Sequence, residues 1–207
     1  GTTGGERRDT EEPGECRDGV KVLALGGSVI GMHEQEIPRL ADAASGFDVI
    51  VTGAGPLAHY IEHSTGDEAN KDLIGIKATR LHAQAVAVEL EDSNSSIPTS
   101  FQELTDMTER FSTVVSGGMV PGYSTDAVAA TAAELLDANL YIATDVDGIY
   151  DRHPDNEKAQ MLDEASVNKL REMTEGNSEA GGYALIDRTA LDIIDRSDIP
   201  AKVLKGE

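Results

Sequence analysis

Residues 112–130 read STVVSGGMVPGYSTDAVAA. The run 112–115 is short, apolar and β-branched, which suits a buried strand. It stops at Gly117-Gly118, and Pro121-Gly122 bends the chain again. Ser124, Thr125 and Asp126 then precede an alanine-rich stretch that continues to residue 136. Hydroxyls and an acid at that point are helix-start residues, and a helix apolar nearly all round must be buried. A strand, a glycine turn and a buried helix in this order form the repeating unit of a parallel sheet covered on both faces.

The same unit recurs on either side. Upstream, 20–25 is an apolar run ending at Gly26-Gly27-Ser28, followed by helical spacing over 34–44 (Ile37, Leu40, Ala41, Ala44). A second apolar run, 47–51, ends at Gly53-Ala54-Gly55, and Pro56 suits the first turn of a helix over 56–63. The spacing predicts a long helix over 73–90 with Ile76, Leu81, Ala85 and Val88 on its apolar face. A loop over 93–99, with a short strand near Ile97, leads to a helix over 101–110. Downstream come a strand over 140–144, helices over 163–173 and 184–196, and a last strand over 201–204. The expected fold class is α/β, with a mostly parallel central sheet in one domain spanning 20–207. Residues 1–19 hold five glycines and many charges without apolar periodicity, and are expected to be a disordered polar extension.

Composition narrows the function. With 17 basic and 38 acidic residues the net charge is −21, a surface that repels phosphate backbones and speaks against nucleic-acid binding. Only seven of the basic residues are lysine. High acidity with few lysines suggests a halophilic protein working in concentrated salt, where self-repulsion is screened. No apolar run approaches the ~20 residues of a membrane span, so a cytoplasmic protein with no membrane partner is expected. Cys16 is the only cysteine, which excludes an intramolecular disulfide and a cysteine metal site.

Three strands ending in glycines at one sheet edge, each followed by a helix N-terminus, suit a site that holds several phosphates. Ser124 and Thr125 serve equally as simple caps or as phosphate contacts; Asp126 either answers the helix dipole or organises positive groups or Mg²⁺ at a transfer site. In ATDVDGIYDRHP, residues 143–154, Asp145, Asp147 and Gly148 fit a turn, while Tyr150 and Pro154 are placed to flank a base. Two motifs point elsewhere. GAGPLA, residues 53–58, matches a dinucleotide fingerprint, but Asp72 precedes an apolar helix where that motif needs an acid ending a strand. His59 to His63 matches the H-x-x-E-H zinc pattern, but no third ligand follows. A G-x-x-x-x-G-K-[ST] loop is absent from the sequence.

Read in order, LGGS, VTGAGPLAHYI, DLIGIKATR, VVSGGMVPGYSTDAVAA, ATDVDGIYDRHP and EAGGYALIDRTALDIIDRSDIP resemble the motif series of archaeal-type UMP (uridylate) kinases, a branch of the amino-acid-kinase superfamily. The resemblance covers nearly all of 20–205. It implies a three-layer α/β/α sandwich, commonly a homo-oligomer (a hexamer), that moves the γ-phosphoryl of Mg²⁺-ATP to UMP. By that resemblance Gly27, Ser28, Gly55 and His59 match ATP positions, and Thr144, Tyr150 and the His153-Pro154 region match the adenine and ribose end. Gly53, Ala54 and Asp72 match UMP contacts, with Met119, Val120, Pro121, Gly122, Tyr123, Ser124 and Thr125 forming the loop that holds UMP. Asp126 matches the organising aspartate, with Arg80 the nearby catalytic cation, and no metal is held by the protein alone. The sequence departs from the family at His59 (often Arg), Met119 (usually Thr), Asp145 (usually Asn) and His153 (usually Asp). Many superfamily members carry lysine where Ala24 stands. The chain also stops ahead of the family's usual end, so a final strand is expected to be missing. Another small-acid or phosphate kinase of the superfamily, or a binding or storage homologue without transfer activity, are the competing readings.

Overall fold

The computed structural model describes residues 19–153, 155–175 and 185–206. The expected extension therefore lies outside the described residues except for Gly19, and Pro154 lies outside them too. In chain order the elements are β1 (Lys21–Leu25), α1 (Gly27–Met32), α2 (Ile37–Ala44), β2 (Val49–Thr52), a single 3₁₀ turn (Gly55–Leu57), α3 (Ala58–Glu62) and α4 (Glu68–Ala87). There follow α5 (Phe101–Thr108), β3 (Val114–Ser116), α6 (Thr125–Leu136), β4 (Asn139–Thr144), the two-stranded pair β5 (Ile149–Tyr150) and β6 (Met161–Leu162), α7 (Val167–Glu175), α8 (Arg188–Arg196) and β7 (Ala201–Lys205).

Five strands form one parallel sheet in the order β3-β2-β1-β4-β7. The chain winds outward from β1 to β3 and then restarts on the other side at β4, so the crevice of this doubly wound sheet opens where β1 and β4 diverge. Side chains of β1 alternate. Val22 and Ala24 face a core built with α6 and α8, whereas Leu23 and Leu25 face a second core built with α1, α2 and α4. The result is the expected three-layer α/β/α sandwich. α6 is the buried helix: Ala127, Val128, Ala129, Ala130, Ala132 and Ala133 are all fully buried. Its small residues let it lie close on β1, β2 and β4 while α8 packs outside it.

Several elements depart from the expectations. α4 begins at Glu68, five residues early, because Asp67 accepts from Asn70 N–H at 2.9 Å and caps it. Its inward face is Ala78, Ala83, Val86 and Ala87, while Leu81 and Val88 are 60% and 68% exposed. The apolar face expected through Leu81 and Val88 is thus turned outward; small residues on the other side let α4 approach β2 and β3 closely. The strand expected near Ile97 is replaced by a side chain. Asn94, fully buried, donates from Nδ2 to Val115 O and accepts from Val115 N–H, and so pairs with the β3 edge as a strand would. α1 and the β5–β6 pair were not expected from the sequence, being too short to show a period.

Candidate active site

At the carboxyl edge of the sheet the glycine turns pack on one another. A Cβ on Gly53 would stand 2.5 Å from Gly27 N, and one on Gly117 would stand 2.7 Å from Arg80 N. At these two positions the space a side chain would need is filled by the backbone of a neighbouring segment, so Gly53 and Gly117 are required by close packing. Gly27 and Gly55 face each other between β1 and β2, a Cβ on Gly27 standing 3.1 Å from Gly55 N. Gly55 is itself required by its positive φ of 51° and by Ile30 Cγ2, 2.7 Å from where its Cβ would be.

The third turn is seated on α4. Thr79 Oγ1 donates to Ile76 O and accepts from Gly118 N–H, both at 2.7 Å. Arg80 Nε donates to Gly118 O at 3.0 Å and its Nη2 donates to Thr99 O at 3.4 Å. Arg80 therefore braces the loop after β3 through Nε and Nη2, two of the three nitrogens of its guanidinium.

The loop then enters α6. Ser124 is the N-cap, its Oγ accepting from Ala127 N–H at 3.0 Å, and Thr125 is the first helical residue. Asp126 sits in the first turn. Enclosure within the protein pushes its carboxyl up to about 7, and the neighbouring Asp187 carboxylate adds to the rise. Asp187 caps α8, accepting from Thr189 N–H at 2.9 Å and Ala190 N–H at 3.2 Å, and its Oδ2 accepts from the Ser124 hydroxyl. Sequence reasoning missed Asp187 as a site residue. The signal was present in IDRTALDII, an Asp immediately before an apolar-periodic run.

Beside this helix start lies a cavity of about 200 Å³. Of the residues expected to hold the acceptor, Ala54, Asp72, Val120, Gly122, Tyr123, Ser124 and Thr125 line it. Ile61, Lys71, Gly75, Ile76, Thr79 and Gly118 line it as well and were not expected. Met119 instead packs against the core beneath α6, Pro121 is exposed, and Gly53 lies in the packed strand-end turn. A larger cavity, about 850 Å³, lies between β7, α7 and α8. It is lined by none of the expected residues and is remote from the glycine turns, so its size does not make it the candidate site.

Across the turn from the acceptor cavity are Gly27 and Ser28 at the head of α1, with Gly55 opposite Gly27. Thr144 ends β4 next to β1, and its hydroxyl accepts from Val146 N–H at 3.4 Å. Tyr150 lies on the β5–β6 pair. His59 is exposed, with Nδ1 2.5 Å from Pro56 O and its ring 4.1 Å from that of Tyr60. His63 Nδ1 lies 2.8 Å from His59 O. Both members of the H-x-x-E-H pattern thus engage backbone carbonyls. Among the described residues no group of three or more His, Cys, Asp or Glu could hold a metal ion.

The amino acid kinase family model matches residues 19–205, almost the whole described chain. The chain belongs to the amino acid kinase family. Within it, the chain is 36% identical over 197 residues to the uridylate kinase of Archaeoglobus fulgidus, covering 89% of this chain and 90% of that one. It is 35% identical over 202 residues to the uridylate kinase of Methanococcus maripaludis, covering 89% and 90%. The crystal structure of the Archaeoglobus fulgidus uridylate kinase superposes with a TM-score of 0.79 at 32% identity over 90% of both chains. Aspartokinase III of E. coli shares the fold at a TM-score of 0.66 and 17% identity, over 90% of this chain and 62% of that one. The family's doubly wound sheet accounts for both the strand order and the position of the cavity at its carboxyl edge. No helix among the described residues is long and apolar enough to cross a membrane.

Proposed function

We propose that this chain is a uridylate kinase, transferring the γ-phosphoryl of ATP to UMP to give UDP and ADP. The observation that carries this reading is the cavity enclosed by α4 and the loop from Gly118 to Thr125, opening at the N-terminus of α6, in a chain 36% identical over nine tenths of its length to a uridylate kinase. UMP lies in that cavity, with Asp72 toward its ribose or base and its phosphate toward Ser124 and Thr125. ATP lies across the Gly27–Gly55 turn, its phosphates over Gly27, Ser28, Gly55 and His59, and its adenine and ribose toward Thr144, Tyr150 and Pro154.

In this arrangement the protein forms no covalent intermediate and works by holding two phosphates in line. The α6 N-terminus offers N–H groups and the positive end of a helix dipole to developing negative charge. Asp126 organises the cations there, and Arg80 acts by fixing the loop that carries Gly118. Mg²⁺ brought with the nucleotide would neutralise phosphate charge, and Asp126, in the first turn of α6, is the carboxylate that would face it, in keeping with the one or two carboxylates plus substrate phosphates that usually hold this ion.

We further propose a cytoplasmic enzyme of pyrimidine nucleotide synthesis, adapted to high salt and assembled from copies of itself, a hexamer by family resemblance. Leu73, Leu81 and Val88, about half or more exposed along one side of α4, support the assembly. The test of function is ADP release in molar KCl with Mg-ATP and UMP, CMP, AMP or no acceptor. Release specific to UMP is expected. Release with another acceptor would identify a different kinase of the family, and a folded protein releasing none would be a binding homologue.

A further inference from the structure

We propose that Asp187, at the head of α8, is a positioning residue that sets the α6 N-terminal turn carrying Ser124, Thr125 and Asp126. The inference rests on the phosphoryl-transfer reading for its functional consequence, but its structural content stands on the hydrogen bonds alone. Asp187 divides its carboxylate between two helices. Oδ1 accepts from Thr189 and Ala190 N–H and caps α8; Oδ2 accepts from Ser124 Oγ. That same Ser124 oxygen accepts from Ala127 N–H and caps α6.

A free serine cap has three hydroxyl rotamers and an unassigned proton. With the hydroxyl hydrogen directed at Asp187, the oxygen's lone pairs are left for Ala127 N–H and for the cavity that Ser124 lines. The two helices pack side by side in one core, and at their far ends Arg196 and Ser197 bind the Glu134 carboxylate. The bond between residues 124 and 187 pins their N-terminal ends in register. It also places a second carboxylate beside Asp126, consistent with the raised proton affinity there.

Three variants separate positioning from simple capping. Asp187→Asn keeps the α8 cap through Oδ1 and still bridges to Ser124, its Nδ2 donating to Oγ, so the tie between the two helices is retained with the direction of the bond reversed. Asp187→Ser keeps the α8 cap, serine being a good N-cap residue, but is one atom too short for Ser124. Asp187→Ala removes both. Measured on the full chain near pH 8 with Mg-ATP and UMP, Asp187→Ser is expected to lower kcat about 10- to 100-fold, the scale on which slight misplacement of reacting groups acts. KM for ATP should stay within about twofold, since the proposed ground-state contacts of ATP are with the Gly27–Gly55 turn. Asp187→Asn should restore most of kcat, and the melting temperatures of Asp187→Ser and wild type should agree closely. In parallel, hydrogen exchange at Ala127 N–H should accelerate about tenfold in Asp187→Ser, while Thr189 and Ala190 remain protected. Unchanged kcat in Asp187→Ser with an active wild type, or a loss matched in Asp187→Asn, would overturn positioning. If wild type releases no ADP with any acceptor, the transfer reading fails by itself. Exchange at Ala127 then decides, and unchanged protection in Asp187→Ser would overturn the clasp.

Discussion

Replacing Asp126 with asparagine removes a charge and keeps the shape, and the enclosure of the carboxyl sets the sign of the effect. The Asp126 carboxyl is raised from 3.8 to about 7, first by enclosure and then by Asp187. The folded protein therefore binds this proton more tightly than the unfolded chain does. The associated stability is complete below pH 3.8 and is lost as pH rises through 7. A rise of roughly 3 in pKa corresponds to about 4 kcal/mol, an upper bound for a site that water can partly enter. Asparagine mimics the neutral acid at every pH. Asp126→Asn should thus be more stable than wild type above neutrality, by up to about 10 °C in melting temperature for a domain of this size. The gap should close as pH falls toward 4. ADP release near pH 8 should meanwhile fall about 100-fold or more, since a group that organises transition-state charge is lost. The assay is a set of thermal melts across that pH range at constant KCl, paired with turnover. A variant less stable than wild type at alkaline pH, or a gap independent of pH, would refute the enclosed-acid argument. Loss of turnover no greater than loss of stability would reduce Asp126 to a helix cap.

Asp72→Ala should raise KM for UMP about 10- to 100-fold, the worth of one hydrogen bond from a charged group, with KM for ATP unchanged in steady-state kinetics. Gly53→Ala places a Cβ 2.5 Å from Gly27 N, so the two turns must part. The cost should be about 1–3 kcal/mol, read as a melting temperature lower by roughly 3–10 °C, with ATP binding weakened because Gly27 moves. The net charge of −21 should make the fold loosen in dilute buffer and the melting temperature rise in molar KCl. An identical melting temperature in both would remove the halophilic reading.

The sheet was legible because its information is local. β1, β2 and β3 are short, largely apolar runs closed by glycine, and Ala127 to Ala133 reads as a buried helix. α4 was legible as a helix, but its orientation was misread. Large apolar residues ordinarily mark the inward face, yet here Leu81 and Val88 point outward and alanines face the sheet. Which side of a helix carrying apolar residues on both faces packs inward depends on how closely it must approach its neighbour, a distance that one chain segment does not encode. Asn94 makes the same point: a polar residue in a loop gives no sign that its amide will complete the edge of β3 from 21 residues away.

The site divides along the same line. Residues that line the acceptor cavity by being near one loop in the chain, Val120 and Gly122 to Thr125, were found. Ala54 and Asp72, far from that loop in the chain, were found as well. What the sequence did not show is which distant segments fix the loop: the Gly118 and Thr99 carbonyls that Arg80 binds are 38 and 19 residues away. Asp187 drew no role from the sequence, and Ser124, its partner beyond α8, is 63 residues upstream. Both residues act on the same short loop from opposite ends. Arg80 holds Gly118, where the loop leaves β3, and Asp187 holds Ser124, where it enters α6. Between these two anchors lie Met119 to Tyr123, of which Val120, Gly122 and Tyr123 line the cavity. The loop is therefore held at both ends by distant segments while its middle faces the cavity, so a substitution at Val120 or Tyr123 alters the cavity wall without removing either anchor.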